Sequence, residues 1–225
     1  MLRLFDSQVR KYKSLRAMGI PLMTKVGKTL PTALILQAAK DFRMLGKNGK
    51  TVTMDSEDEI SFVMDRAILD VPWPKERWIE QICNHKITDY SPGEQAMLLA
   101  YSRAHFSLYG VAAVESGRGL QLRDLFSGQE LFLIDLGLAA TARKGGLFAT
   151  RVVTLEGLSF TSGVGTPFPP EDGSRLIGNF TTLFEKKKGT MSWEEMMRRY
   201  APYFFIQYKK GRLGIEFASV SPEVL

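Results

Sequence analysis

Residues 105–135, HFSLYGVAAVESGRGLQLRDLFSGQELFLID, and residues 145–170, GGLFATRVVTLEGLSFTSGVGTPFPP, decide the fold of this chain. Gly110, Gly117, Gly119, Gly128, Gly145, Gly146, Gly157 and Gly163 punctuate them, with Val, Leu, Phe and Thr crowded in between. That rhythm marks short strands joined by tight turns. We place strands at 106–115, 120–124, 130–135, 147–155 and 158–162. The fold class is α+β: a small antiparallel β-barrel or strongly bent sheet of about five strands across 106–162, of OB or SH3-like size. Its strand order cannot be read from the sequence. Helices flank it on both sides, which divides the chain into a helical N-terminal region (1–104), the β module (105–170) and C-terminal helices packed on it (171–225).

Along 147–155, Leu147, Ala149, Val153 and Leu155 alternate with Phe148, Thr150, Val152 and Thr154, and Arg151 is the odd member of the more apolar face. We take that face to point inward. A guanidinium there needs a carboxylate, and Glu115, Asp124, Glu130 and Asp135 lie on neighbouring strands. A structural ion pair is the first reading, and an anion site shared with Arg118 and Arg123 is the second.

On the N-terminal side, Leu4, Phe5, Val9, Tyr12 and Leu15 recur at helical spacing, with Arg10, Lys11, Lys13 and Arg16 between them. This helix is expected to close at Gly19 and Pro21. A second helix opens at Thr29-Leu30-Pro31 and runs to Gly46, and Lys47-Asn48-Gly49-Lys50 forms a turn, closing either a small hairpin that reaches Val52 or a plain loop. Asp55 to Glu59 supplies acids and a Ser56/Glu59 capping box to the next helix, whose buried face should carry Ile60, Val63, Met64, Ala67 and Ile68. Val71-Pro72-Trp73-Pro74 ends it, and Trp78, Ile79, Ile82 and Cys83 make a short helix. A second box at Ser91/Glu94 starts a helix that leads into the first strand.

On the C-terminal side, Leu176, Ile177, Phe180, Leu183 and Phe184 form a helix that ends at Lys186-Lys187-Lys188-Gly189, with the lysines near the negative end of its dipole. A third box at Ser192/Glu195 begins a last helix that Pro202 must kink or break. Tyr200, Tyr203, Phe204, Phe205, Ile206 and Tyr208 then cluster beside Arg198, Arg199, Lys209, Lys210 and Arg212. Such a mixture either packs over the β module or stacks bases and binds phosphates.

Charge is unevenly placed. Residues 1–50 hold 11 Lys/Arg against 2 Asp/Glu, whereas residues 51–100 hold 4 against 10, within a net charge of +6. Either the basic segment packs beside the acidic one, or it meets a polyanion such as nucleic acid. A membrane surface is a third partner. The apolar run Ala33 to Leu36 is far short of a membrane span. The start MLRLFDSQVRKYK lacks an apolar signal core, and the lone Cys83 excludes an internal disulfide framework, so a cytoplasmic protein is expected.

Assembled chemistry is scarce. Cys83 and His85 are two residues apart, about 200° around a helix, and cannot share a metal or act as nucleophile and base there. His105 has no evident partner. Gly117-Arg118-Gly119 and Gly163-Val164-Gly165 lack the Lys-Ser/Thr ending of a phosphate loop and read as turns. No catalytic residue is assigned, and no cofactor or metal is expected.

The segments from Tyr90 to Tyr109, from Gly119 to Leu125 and from Ser127 to Glu130, with Leu147 to Val153 and Gly165 to Pro169, resemble a block in uncharacterised bacterial proteins that often carry a C-terminal SEC-C zinc motif. The resemblance implies a bacterial cytosolic origin and a helix-plus-barrel architecture. The cysteines of the zinc motif are absent here, and no activity is implied.

The expected function is a non-enzymatic binding or adaptor module for a protein or nucleic-acid partner. Arg118, Arg123, Arg151, Arg198, Arg199, Lys209 and Lys210 are the candidate anion contacts. An enzyme with an Arg/carboxylate site in the β module is the alternative, and a structural or oligomerising protein is the third reading.

Overall fold

The computed structural model describes residues 2–211 apart from 55, 57 and 188, with side chains from Ser7 onward. Readings that rest on the side chains of Leu4 and Phe5, or on Asp55, Glu57, Lys188 and Arg212, lie outside the described residues.

Five strands form where the glycine rhythm places them: β1 (Phe106–Glu115), β2 (Gly119–Asp124), β3 (Glu130–Ile134), β4 (Leu147–Leu155) and β5 (Leu158–Phe168). Their hydrogen-bonded pairing closes a ring in the order β1-β2-β3-β5-β4. Four of the ladders are antiparallel, but β3 runs parallel to β5 where Leu133 meets Ser159. The wholly antiparallel expectation therefore needs correction. A short helix, α6 (Leu136–Thr141), crosses from β3 to β4 and makes the parallel pair accessible; Asp135 caps it by accepting from the Leu138 N–H at 3.0 Å.

β5 is longer than expected, continuing from Ser162 to Phe168 through glycines read as turns. A register shift lets Thr150 pair with Gly165 while Val152 pairs with Thr161, so the extra residues bulge out opposite Arg151. Gly165 is needed inside the strand because a Cβ there would lie 2.3 Å from the Phe148 ring.

Strand alternation gives the ring two faces. Tyr109, Val111, Leu120, Leu122 and Leu133 fill the inside with Val152, closed by Leu138 and Ala142 at the end of α6. Phe106, Leu108, Leu147, Ala149, Val153 and Phe160 lie on the outside under helices. Arg151 shares the parity of Ala149 and Val153, so it faces the helices rather than the ring interior.

The first helix, α1 (Leu2–Gly27), does not stop at Gly19 or Pro21. Its buried stripe of Tyr12, Leu15, Gly19, Leu22 and Val26 continues across the proline, and burial of Leu22 and Val26 outweighs the hydrogen bond that Pro21 forfeits. α2 (Thr32–Asp41) ends before the expected Gly46, because Arg43 takes a left-handed conformation with φ 62° and the Met44 N–H returns to the Ala39 carbonyl. Leu45 then bridges Val52 around Asn48-Gly49, a small hairpin.

In α3 (Asp58–Leu69) Val63, Ala67 and Ile68 of the expected face are buried, whereas Ile60 is 47% exposed and Met64 only partly buried. Glu59, Phe62, Arg66 and Leu69 widen the buried face, and periodicity cannot foresee charged residues that are buried by pairing. α4 (Trp78–His85), α5 (Pro92–Arg103), α7 (Gly173–Glu185), α8 (Trp193–Tyr200) and α9 (Pro202–Gly211) complete the layer. At the start of α5 the Glu94 carboxylate accepts from the Ser91 N–H, and Ser192 and Glu195 exchange both bonds of a capping box at α8. Pro202 separates α8 from α9.

The C-terminal aromatics pack rather than stand open. Phe204 stacks on Phe180 with centroids 5.2 Å apart, Phe126 lies 5.1 Å from both Phe180 and Trp193, and Phe204 and Phe205 are buried. No helix among the described residues is long and apolar enough to cross a membrane.

Candidate functional site

Two clusters of charged side chains stand out, one buried and one open. The buried cluster is organised along α3. Arg151 on β4 is fully buried; its Nε and Nη2 donate to Asp65 Oδ2 at 3.0 and 2.9 Å, its Nη2 to Asp70 Oδ2 at 2.6 Å, and its Nη1 to the Ala104 carbonyl. The expected partners Glu115, Asp124, Glu130 and Asp135 are not used, because Arg151 points away from the ring interior and onto α3. Burial alone would lower its pKa, but the charges of Asp65 and Asp70 more than offset this and hold it raised. Burial pushes Asp65 up, Arg151 pulls it back in part, and Asp70 pushes it up again.

Arg66, one turn before Asp70, donates to Asp41 Oδ2 at 2.8 Å and to the Arg198 and Arg199 carbonyls, so α3 is tied to α2 and α8 as well. The cavity at this network, between Asp65, Arg66, Asp70 and Phe62, has a volume of about 10 Å³. That admits one water molecule and no substrate. Two carboxylates already hold the Arg151 guanidinium, so it offers nothing to an external anion.

The open cluster lies where the end of α2, its following hairpin and α9 meet. Phe42, Met44, Leu45 and Ile206 floor a groove of about 490 Å³, and Arg43, Lys209 and Lys210 stand on its walls. Lys209 donates to Glu59 Oε1 at 2.7 Å, which fixes α9 against α3. Arg43 and Lys210 are exposed, and neither has a carboxylate partner among the described residues. Lys40 on α2 and Lys47 and Lys50 in the hairpin turn, close in sequence to Arg43, are exposed as well. Asp41, the acid nearest in sequence to Arg43, is engaged by Arg66 and Gln37.

Of the residues singled out by sequence, the structure brings Lys209 and Lys210 together and adds Arg43, which sequence reasoning missed. Nothing in the sequence around Asp41-Phe42-Arg43 announces a left-handed residue, because a helix end there is set by packing. Arg118 sits in the β1–β2 turn, 3.4 Å from Glu115, and Arg123 is exposed on β2 opposite Glu130 and Gly110. Arg151 pairs with Phe106, farther along β1, so these three arginines do not form one site. Arg199 lies over the Tyr200 ring at 5.9 Å. Arg198 is partly buried with its Nε unpartnered; burial first, and then the Arg77 charge, lower its pKa. His85 is exposed 3.5 Å from Glu76, while His105 is partly buried, and burial lowers its pKa.

No group of three or more His, Cys, Asp or Glu side chains able to hold a metal ion occurs among the described residues. The basic N-terminal segment packs beside the acidic second one, α2 against α3 and α1 against α3 and α5, and one of their ion pairs has the opposite sense, with Asp41 of the first bound to Arg66 of the second. Lys25 of the first segment lies 4.1 Å over the Tyr90 ring, and Lys11 pairs with Glu156 at the β4–β5 turn.

Residues 6–215 match the profile of a family of unknown function (DUF7986). No curated protein and no solved structure matches the chain.

Proposed function

The chain belongs to DUF7986, a family of unknown function, and we propose that it is a non-enzymatic module that binds nucleic acid through the basic groove between α2, the 45–52 hairpin and α9. The observation that carries this reading is the convergence of Arg43 and Lys210, exposed and from segments far apart in sequence, on one open groove beside Lys209, whose charge Glu59 already holds. Cations gathered from distant segments cost repulsion, which an anionic ligand relieves. Their spread onto Lys40, Lys47 and Lys50 suits a chain of phosphates better than a single one. In this reading the closed ring is a small barrel of OB kind that serves as scaffold, and the helices carry the binding surface.

The test is fluorescence anisotropy with labelled oligonucleotides across a range of salt. Binding should weaken steeply with salt, and Arg43→Ala with Lys210→Ala should reduce the slope of log K against log[salt] by about one per phosphate contact removed. Salt-independent binding, or unchanged slopes, would count against the proposal.

A further inference from the structure

We infer that the groove seats an unpaired nucleobase, so that the preferred ligand is a single strand and Arg43 is the residue that sets the strand's phosphate against the pocket. This rests on the nucleic-acid reading above and narrows it. Phosphate needs only the cationic rim, yet the groove has an apolar floor of Phe42, Met44, Leu45 and Ile206 beneath that rim. Leu45 and Ile206 are partly exposed and form the part of the floor that solvent reaches, with Phe42 and Met44 buried beneath. A flat heterocycle covers such an aliphatic surface and removes it from water while its backbone stays among the cations. A double helix presents phosphates outward and keeps its bases stacked, so it meets the rim without filling the floor. The volume of about 490 Å³ suits one nucleotide rather than several.

Arg43 supplies the second argument. It ends α2 with φ 62°, a conformation that glycine adopts freely and a side chain does not. The chain reversal needs only that backbone shape, so a guanidinium at this position is not required by the fold. It stands on the wall of the groove, where a planar fork can grip a phosphate in two-point fashion. Backbone strain located at the mouth of a pocket points to a role for the side chain that carries it.

The experiment compares four labelled probes at fixed salt: a single-stranded oligonucleotide, an abasic strand of equal length and charge, the corresponding duplex, and polyglutamate. The intact single strand should bind about tenfold more tightly than the abasic strand, the scale that covering a small apolar surface supplies. Ile206→Ser, with folding checked by its urea midpoint, should bring that ratio toward one while the abasic strand binds as before. Arg43→Gly should weaken intact and abasic strands alike with no loss of folded stability. Equal binding of intact, abasic and duplex probes overturns the base seat and leaves the polyanion reading standing. Polyglutamate bound as tightly as the single strand overturns the base seat too, along with its nucleic-acid premise. Absence of binding by all four overturns both proposals.

Discussion

Arg151 Nη2 donates to Asp70 Oδ2 across 2.6 Å, with both side chains almost wholly out of water, one on the outer face of the strand ring and the other just past the end of α3. Asp65 holds the same guanidinium from one turn earlier. The register shift in β5 occurs opposite this residue. The strand ring is therefore joined to its helical cover by charge as well as by apolar packing. Desolvating these groups is expensive, and only mutual pairing offsets it.

Removing one member of the network is consequently severe. Arg151→Met should lower folding stability by about 3–5 kcal/mol, because two buried carboxylates lose their cation. Adding Asp65→Leu and Asp70→Leu to Arg151→Met should recover most of that loss, since a well-packed apolar replacement removes the desolvation cost as well. Urea midpoints of the single and triple variants check both statements.

Asp65 has a pH signature of its own. Its folded pKa is raised above the ordinary value of 3.8, so the native state holds its proton to higher pH than the unfolded chain does. Its contribution is most favourable below 3.8 and is lost as pH rises through the folded value. Glu80, Glu94 and Glu195, whose pKa values are lowered, act in the opposite sense and lose stability as pH falls. The stability difference between wild type and Asp65→Asn should accordingly shrink, or turn against wild type, on going up from pH 3.8. A difference that grows with pH over that window would contradict the burial of Asp65.

Gly165 leaves room for Phe148. Gly165→Ala places a methyl 2.3 Å from the aromatic ring and should destabilise by about 1–3 kcal/mol, the usual scale of overpacking. In a Phe148→Leu background the added penalty should largely vanish. The coupling in that double-mutant cycle is the measurement, and additivity would mean that the two residues do not meet.

Pro21 sits inside a helix on an exposed position. Pro21→Ala restores a backbone donor and should raise stability, by up to about 3 kcal/mol on the scale of a helix interior. Leu22→Ala should cost about 2–5 kcal/mol, because Leu22 is buried in the core formed with α5 and β5. Neutral values for both would mean that the helix stops at Gly19.

Arg43→Gly is expected to be neutral or stabilising by up to about 1 kcal/mol, since glycine adopts φ 62° without steric cost while loosening the unfolded chain. A clear loss in thermal or urea midpoint would assign the side chain a structural role instead.

The ring was legible in the linear order because its information is local: turn residues between short apolar runs, with the parity of Leu147, Ala149, Arg151 and Val153 marking one face. The capping boxes at Ser91 and Ser192 were legible for the same reason, since a cap is a bargain between residues three apart. The parallel β3–β5 pair and the bulge opposite Arg151 depend on which strands meet, and strand composition does not encode that.

The amino-acid sequence alone therefore determined where strands and most helices begin, and that Arg151 had to find a carboxylate. The tertiary structure decided which carboxylates: it turned the outer face of β4 toward α3, where Asp65 and Asp70 wait. It also decided that Arg43, Lys209 and Lys210 share a groove. Helical and strand periodicities arise from backbone geometry within a few residues, whereas the pairing of buried charges and the gathering of exposed ones depend on contacts between distant segments that form only when the whole chain packs.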